Sequence, residues 1–168
     1  MPSSDRSAGA RRLLRVAVAL SCLLGAGGVA AAGRRVSPIR VQLTVHADGG
    51  ALVAKLRFVN RSRAPQYLDK HMACLDGQMR SRVLMMYRGR TELPYLLPMG
   101  KYPAPGPDDY VALKPGEAVE ATVRLDNAYE LQPGRHRYRV RYDAFHGRPD
   151  SDALLQLTSN DVDVSYTR

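Results

Sequence analysis

The stretch VALKPGEAVEATVRLDNAYELQPGRHRYRVRYDAF, residues 111–145, decides the fold. Apolar and polar side chains alternate in two runs of it, and a Pro-Gly turn precedes each run, which is typical of antiparallel β-strands. Successive side chains of a strand point to opposite faces, so the second run has an arginine face and an aromatic face. The arginine face holds Arg135, Arg137, Arg139 and Arg141, and the aromatic face holds His136, Tyr138, Val140 and Tyr142. The sequence therefore predicts a sheet with one dry face and one solvated face.

The arginine row has three interpretations. We expect a solvated strand face, with Glu120 and Asp143 as ion-pair partners and the arginine stems covering apolar surface. The alternative is a partner-binding face, for which Arg137 and Arg139 are the candidate residues. Nucleic acid ranks last, because no aromatic side chain is interleaved on the arginine side to stack bases. A protein partner is therefore expected rather than a nucleic acid.

The same alternation continues through the chain from Ile39. Asp48-Gly49-Gly50 predicts the tight turn of a first hairpin over residues 38–60. Further strands are predicted at residues 66–68, 81–87, 93–97, 119–125, 135–142, 153–157 and 162–166. We predict an all-β domain over residues 38–168, an immunoglobulin-like antiparallel β-sandwich of about 7–8 strands, with a small barrel as the alternative.

Residues 1–32 have the pattern of a cleavable signal peptide. Three arginines precede an apolar run over residues 16–24, and small residues follow, ending in Ala30-Ala31-Ala32. The apolar run is too short to cross a bilayer of about 30 Å as a helix. We therefore expect export to the periplasm or the medium, a short linker at residues 33–37 and no transmembrane span after cleavage. An uncleaved anchor, lipidation at Cys22 and twin-arginine export are alternatives that the sequence leaves open.

The mature chain is expected to be basic and to lack disulfides. The whole chain has 25 Lys and Arg against 16 Asp and Glu. Removing four arginines and one aspartate with the signal peptide leaves 21 against 15, a net charge of +6. This charge alone does not choose between acidic proteins, anionic lipids and cell-wall polymers. Cys74 is then the single cysteine, and we expect a buried, inert thiol rather than a reactive nucleophile or a dimer link.

The order of several short motifs points to a family. The motifs are Val59-Asn60-Arg61-Ser62, Leu93-Pro94-Tyr95 after Gly89, residues 105–110, Pro115-Gly116-Glu117, the set Leu125, Tyr129, Leu131 and Gly134, the strand ending near Tyr142, and Ser159-Asn160-Asp161-Val162. In this order they resemble the N-terminal immunoglobulin-like β-sandwich domain of deuterolysin-like (aspzincin) metallopeptidases. The resemblance spans about residues 39–166.

The catalytic part of that family has no counterpart in this chain. Those enzymes bind zinc with a His-Glu-x-x-His helix and a further aspartate in a separate domain, and no histidine here precedes a glutamate. His136 also stands where the family usually has tyrosine. The resemblance therefore implies a stand-alone, non-catalytic domain without a cofactor. We expect an exported protein-binding module, an accessory or inhibitor of an exported peptidase.

Two sets of residues are candidates for binding. Tyr95, Tyr102 and Tyr110 surround a proline-rich segment, and tyrosine offers contact area at little entropic cost. The alternative is that these rings pin a long loop to the sandwich. His71, Met72 and Cys74 are the candidate ligands of the alternative function, a periplasmic protein that binds copper or another soft metal. Their spacing alone does not bring them to one point, so we expect no metal and no catalysis.

Overall fold

The structure is a computed structural model, and it describes residues 37–100, 103 and 105–168. The predicted signal peptide with Cys22, most of the linker and Tyr102 lie outside the described residues. In the part that is described, the chain is all-β, as predicted, with ten strands, one 3-10 helix and no α-helix. The strands are β1 (Ile39–Asp48), β2 (Ala51–Asn60), β3 (Gln66–Asp69), β4 (Leu84–Arg88), β5 (Thr91–Glu92), β6 (Tyr110–Leu113), β7 (Ala118–Arg124), β8 (Arg135–Arg148), β9 (Ser151–Thr158) and β10 (Val162–Thr167). The same residues include no helix with the length and hydrophobicity of a membrane span.

The first sheet has the order β1-β2-β7, and all its pairs are antiparallel. The predicted first hairpin is confirmed, with Asp48 paired to Ala51 across the turn. Gly49 and Gly50 have φ of 53° and 84°, a conformation that glycine adopts without strain. The inward side chains Leu52, Ala54, Leu56 and Phe58 of β2 are fully buried.

The second sheet is built around β8, the longest strand. Its order is β10-β8-β4-β5, and β9 also pairs with β8. β10 pairs with residues 135–140 and β9 with residues 143–148, so the two lie end to end along one edge of β8. The predicted end of this strand near Tyr142 is therefore wrong, because the chain stays extended to a turn at Pro149-Asp150.

A third, two-stranded sheet pairs β3 with β6. β6 was not predicted, because its four residues lie between a proline-rich segment and the turn at Lys114-Pro115-Gly116. The strand predicted at residues 93–97 is also wrong: β5 ends at Glu92, and Tyr95 makes only an isolated bridge to Tyr129. Prolines at positions 94 and 98 lack the N–H donor that a ladder needs, which limits strand formation there.

Buried side chains of all three sheets form one core. The first and second sheets meet where the Phe58 ring lies edge-on to Tyr142, with ring centroids 5.4 Å apart. The buried hydroxyl of Tyr129 donates to the carbonyl of Leu84. The aromatic face predicted for β8 is confirmed, since Tyr138, Val140 and Tyr142 are buried.

A side chain between β9 and β10 also joins the first two sheets. The Oδ1 atom of Asn160 accepts from the N–H of Leu43, and its Nδ2 donates to the Leu43 carbonyl, both at 3.0 Å. Asn160 thus supplies edge strand β1 with the donor and acceptor that a neighbouring strand would offer.

Candidate functional site

A cleft of about 450 Å³ lies between two loops of the described part. One wall is the loop that follows β3, with Asp69, His71 and Met72. The other wall is the proline-rich connection, including Pro103, Pro105 and the 3-10 helix Pro107–Asp109. We call this surface the proline cleft. Apolar walls with a few convergent polar groups are typical of binding sites.

Hydrogen bonds of Asp69 fix the loop that forms the first wall. The buried Asp69 carboxylate accepts from the N–H groups of His71 and Met72 at 2.8 and 3.1 Å. This is the local side-chain-to-backbone bonding that aspartate favours at turns. The neighbouring Lys70 donates its N–H to the carbonyl of Asp109 at 2.9 Å and its Nζ to that of Asp108 at 2.6 Å. The two walls are therefore tied together by hydrogen bonds of Lys70.

Asp109 also joins the two walls through its carboxylate. Its Oδ1 lies 3.3 Å from Nε2 of His71, and its Oδ2 accepts from the N–H of Gly106 at 2.8 Å. Both side chains are partly exposed, so the pair faces the cleft and the solvent. Arg80 and Ser81 lie on the same cleft. The arrangement offers donors and acceptors to a bound group.

The structure puts the two described candidate tyrosines in different places. Tyr95 packs edge-on to Tyr129, with centroids 5.6 Å apart, and its hydroxyl donates to the Met79 carbonyl at 2.9 Å. Tyr110 lies in β6 beside Gly147, where a Cβ would come within 2.8 Å of its hydroxyl oxygen. Desolvation, and then the charges of Asp69 and Asp109, raise the pKa of Tyr110. Both rings thus make packing contacts with the fold, which favours the loop-pinning alternative for them.

Two exposed apolar side chains near the proline-rich segment were not singled out from the sequence. Met99 is 73% exposed and Leu96 is 55% exposed, and both belong to the segment that leads into the proline-rich wall. A second groove, of about 600 Å³, is lined by residues 122–124 of β7 and by Leu97 and Pro98, and it shares Arg80 with the cleft. The sequence signal for them is that Leu96 and Met99 lie close to Pro94 and Pro98. Prolines keep this segment out of a sheet, so its apolar side chains are less readily buried there.

The structure gives the candidate soft-metal ligands different surroundings. Cys74 is fully buried in the core, whereas the His71 ring pairs with Asp109. Burial, and secondly the charge of Asp76, raise the pKa of Cys74 to about 12. The prediction of a buried thiol is confirmed, and it is protonated at neutral pH, whereas metal ligation needs the thiolate. Among residues 37–100, 103 and 105–168, no three His, Cys, Asp or Glu side chains cluster closely enough to hold a metal ion.

The arginine row of residues 135–141 in β8 lies on the outer face of the second sheet, as predicted, but the ion-pair partners of these arginines differ from the prediction. Arg137 is 3.1 Å from Asp163 and Arg141 is 3.9 Å from Asp161, so both carboxylates come from β10 or the residue before it. The Arg139 guanidinium lies 5.3 Å from the centroid of the Tyr87 ring.

The two carboxylates expected beside this row have other partners. Glu120 is on β7 in the first sheet and lies 2.8 Å from Lys55 and 3.5 Å from Arg57. Asp143 accepts from Gln156 at 2.9 Å. The alternation of apolar and polar residues correctly predicted which face of its strand each charged residue lies on. It did not show which strand lies next to β8.

Comparison with known proteins leaves the family open. The chain matches no protein-family model, and its sequence has no significant match among curated proteins. The resemblance to the peptidase-associated sandwich therefore stays a prediction.

Proposed function

We propose that residues 38–168 form an immunoglobulin-like β-sandwich that is exported and works by binding a protein, with no chemistry of its own. Two features of the sheets support this fold. Both larger sheets are antiparallel, and both contain neighbours that are distant in the chain, β2 with β7 and β4 with β8. Such crossovers between sheets are characteristic of Greek-key sandwiches.

The observation that carries the binding function is the proline cleft with its exposed apolar border. The bonds of Asp69 fix one wall and those of Lys70 join it to the other, so the surface is formed before a partner arrives. A preorganised surface loses little conformational entropy on binding. Met99 and Leu96 beside it supply apolar area that a protein partner would cover.

The partner that the sequence resemblance suggests is an exported peptidase. A domain similar to the non-catalytic part of such enzymes would act as an accessory or an inhibitor. Either role needs only a shaped surface, and the cleft and its border offer one. The protein would meet this partner in the periplasm or the medium.

The experiment is a titration of exported peptidases with the purified protein. Peptidase activity from the producing cell should fall at a near-equimolar ratio if the protein inhibits. Met99→Asp should weaken the effect by at least about tenfold, because it puts a charge into the apolar contact. The matched control is Leu154→Asp, since Leu154 is 66% exposed on β9 and does not line the cleft.

Two results would contradict this proposal in different ways. If no exported peptidase responds, the inhibitory role is wrong. If Met99→Asp and Leu154→Asp weaken the effect equally, the cleft is not the binding face.

Copper binding is the alternative function, and the buried Cys74 and the His71–Asp109 pair give it less support. It has a direct test. Protein soaked in Cu(I) and desalted should carry no stoichiometric metal. One retained equivalent that is lost on changing His71 and Met72 would favour the alternative.

A further inference from the structure

The β4 side of β8 is open at the end that carries the arginines. The last pair between β4 and β8 is Tyr87 with Arg139, and β4 ends at Arg88. Arg137 and Arg135 lie beyond this point, and only β10 pairs with them. Within the described residues, no strand therefore continues along β8 on this side.

The backbone groups of Arg135 and Arg137 point to this open side. In an antiparallel ladder, alternate residues direct both their N–H and C=O groups to the same neighbour. The N–H of Asp143 donates to Val83 beside β4, and that of Gly134 donates to Arg168 beside β10. Odd-numbered positions of β8 thus face the β4 side. For the chain that the structure describes, these groups of Arg135 and Arg137 have no hydrogen-bond partner.

The side chains next to this edge are positively charged. Arg135, Arg137, Arg139 and Arg141 share the outer face of β8, and among the described residues two carboxylates, Asp161 and Asp163, form ion pairs with them. Arg137 is 73% exposed even with its ion pair. A notch of about 290 Å³ lies between Arg137, Arg139, Asp163 and Gly89 of the β4–β5 turn. We call it the arginine notch.

We propose that the arginine notch binds an extended acidic segment of a partner protein, which adds as a short strand beside Arg135 and Arg137. Free N–H and C=O groups on a sheet edge recognise the backbone of an extended peptide. Side chains of facing strand residues lie about 5 Å apart, so carboxylates at alternate positions of the segment would meet the guanidinium groups. The arginines thus select a bound segment with acidic side chains, and the free sheet edge selects a segment in the extended conformation.

This arrangement favours a peptide over other anions. A nucleic acid or an anionic membrane would use the guanidinium groups but has no backbone amide to pair with the edge. The proposal does not depend on the proline cleft, which lies between other elements.

The experiment measures binding of a labelled, end-blocked peptide of about seven residues with alternating Glu and Thr, by fluorescence anisotropy at low ionic strength. The control peptide has the same composition with its glutamates contiguous. We expect the alternating peptide to bind the full chain at least about fivefold more tightly. Amide exchange followed by NMR should show the N–H groups of Arg135 and Arg137 becoming protected on saturation.

Two double variants separate the notch from total charge. Arg137→Gln with Arg139→Gln should weaken binding by at least about tenfold. Arg57→Gln with Arg124→Gln removes the same charge from the outer face of the first sheet and should change binding by less than about twofold. Equal effects of the two double variants would overturn the proposal. So would binding without amide protection, or an oligonucleotide or anionic vesicle bound as tightly as the peptide.

Discussion

His146 is the residue whose surroundings most clearly set a property of the protein. It is fully buried in β8, with Nε2 2.6 Å from the Tyr142 hydroxyl, and that hydroxyl donates to the Met72 carbonyl at 2.9 Å. Its Nδ1 has no hydrogen-bond partner among the described residues. Burial lowers the pKa of His146 to about 4 from an ordinary value of 6.5. The imidazole is therefore neutral in the folded protein.

We predict that folding stability falls between pH 7 and pH 5. The unfolded chain binds a proton at His146 near pH 6.5, whereas the folded chain does so only near pH 4. The contribution is therefore fully present above pH 6.5 and is lost as the pH falls towards 4. It amounts to about 2 kcal/mol between pH 7 and pH 5. Urea unfolding at the two pH values measures it.

The control for this prediction is His146→Gln, which removes the titrating group. Its stability should change much less across the same interval. The carboxylates with lowered pKa, Glu120, Asp126 and Asp150, titrate below this interval and do not obscure the result. Wild-type stability that stays constant from pH 7 to pH 5 would show that His146 is accessible to protons.

Cys74 should be unreactive in the folded protein. It is fully buried and its pKa is raised to about 12, so almost no thiolate is present at neutral pH. Labelling with iodoacetamide, followed by mass spectrometry, should be slow natively and rapid in concentrated guanidinium chloride. Fast native labelling, or a dimer that a reductant dissolves, would contradict the buried position.

At the scale of elements, Asn160 holds β1 against the second sheet. We predict that Asn160→Ala lowers the free energy of unfolding by about 1–3 kcal/mol, because it leaves the N–H and C=O of Leu43 without partners. Chemical denaturation measures the change. Asn127→Ala, at an exposed asparagine, is the matched control and should change stability by less than about 0.5 kcal/mol. Equal losses of stability in the two variants would mean that the N–H and C=O groups of Leu43 have other hydrogen-bond partners.

The third sheet contacts the β8–β9 hairpin where Tyr110 lies against Gly147. A Cβ at Gly147 would come within 2.8 Å of the Tyr110 hydroxyl, so Gly147→Ala should destabilise the protein. In a Tyr110→Phe background the loss should be smaller by at least about 0.5 kcal/mol, because the clashing atom is absent. A double-mutant cycle by urea unfolding measures this coupling, and strictly additive effects would contradict the contact.

Local sequence patterns were sufficient to predict most strands and turns. They were insufficient to predict which strands lie next to each other in the sheets. Gly49-Gly50 and the alternation of β2 and β8 correctly predicted the turn and the buried faces. The Asn160 contact with Leu43 joins residues 117 positions apart, and no local pattern encodes it. The ion-pair partners of the arginines were wrong for the same reason, since they depend on which strands are adjacent.

For the whole molecule, the candidate site was only partly predictable. The sequence correctly indicated a surface segment around the prolines, because proline is excluded from central strands. It did not show that Lys70 would hold this segment against the loop after β3, since those contacts depend on the tertiary arrangement. Met99 and Leu96 were missed because exposure is a property of the folded chain.

The central structural claim concerns β8, which has strands on both sides over part of its length and is open at Arg135 and Arg137. Residue-resolved amide hydrogen exchange by NMR tests it most directly. The N–H groups of Arg139, Val140 and Arg141 should exchange slowly, and those of Arg135 and Arg137 should exchange rapidly in the free protein. Exchange at Arg137 as slow as at Arg139 would show that this edge is covered, and would contradict both the described sheet and the proposed notch.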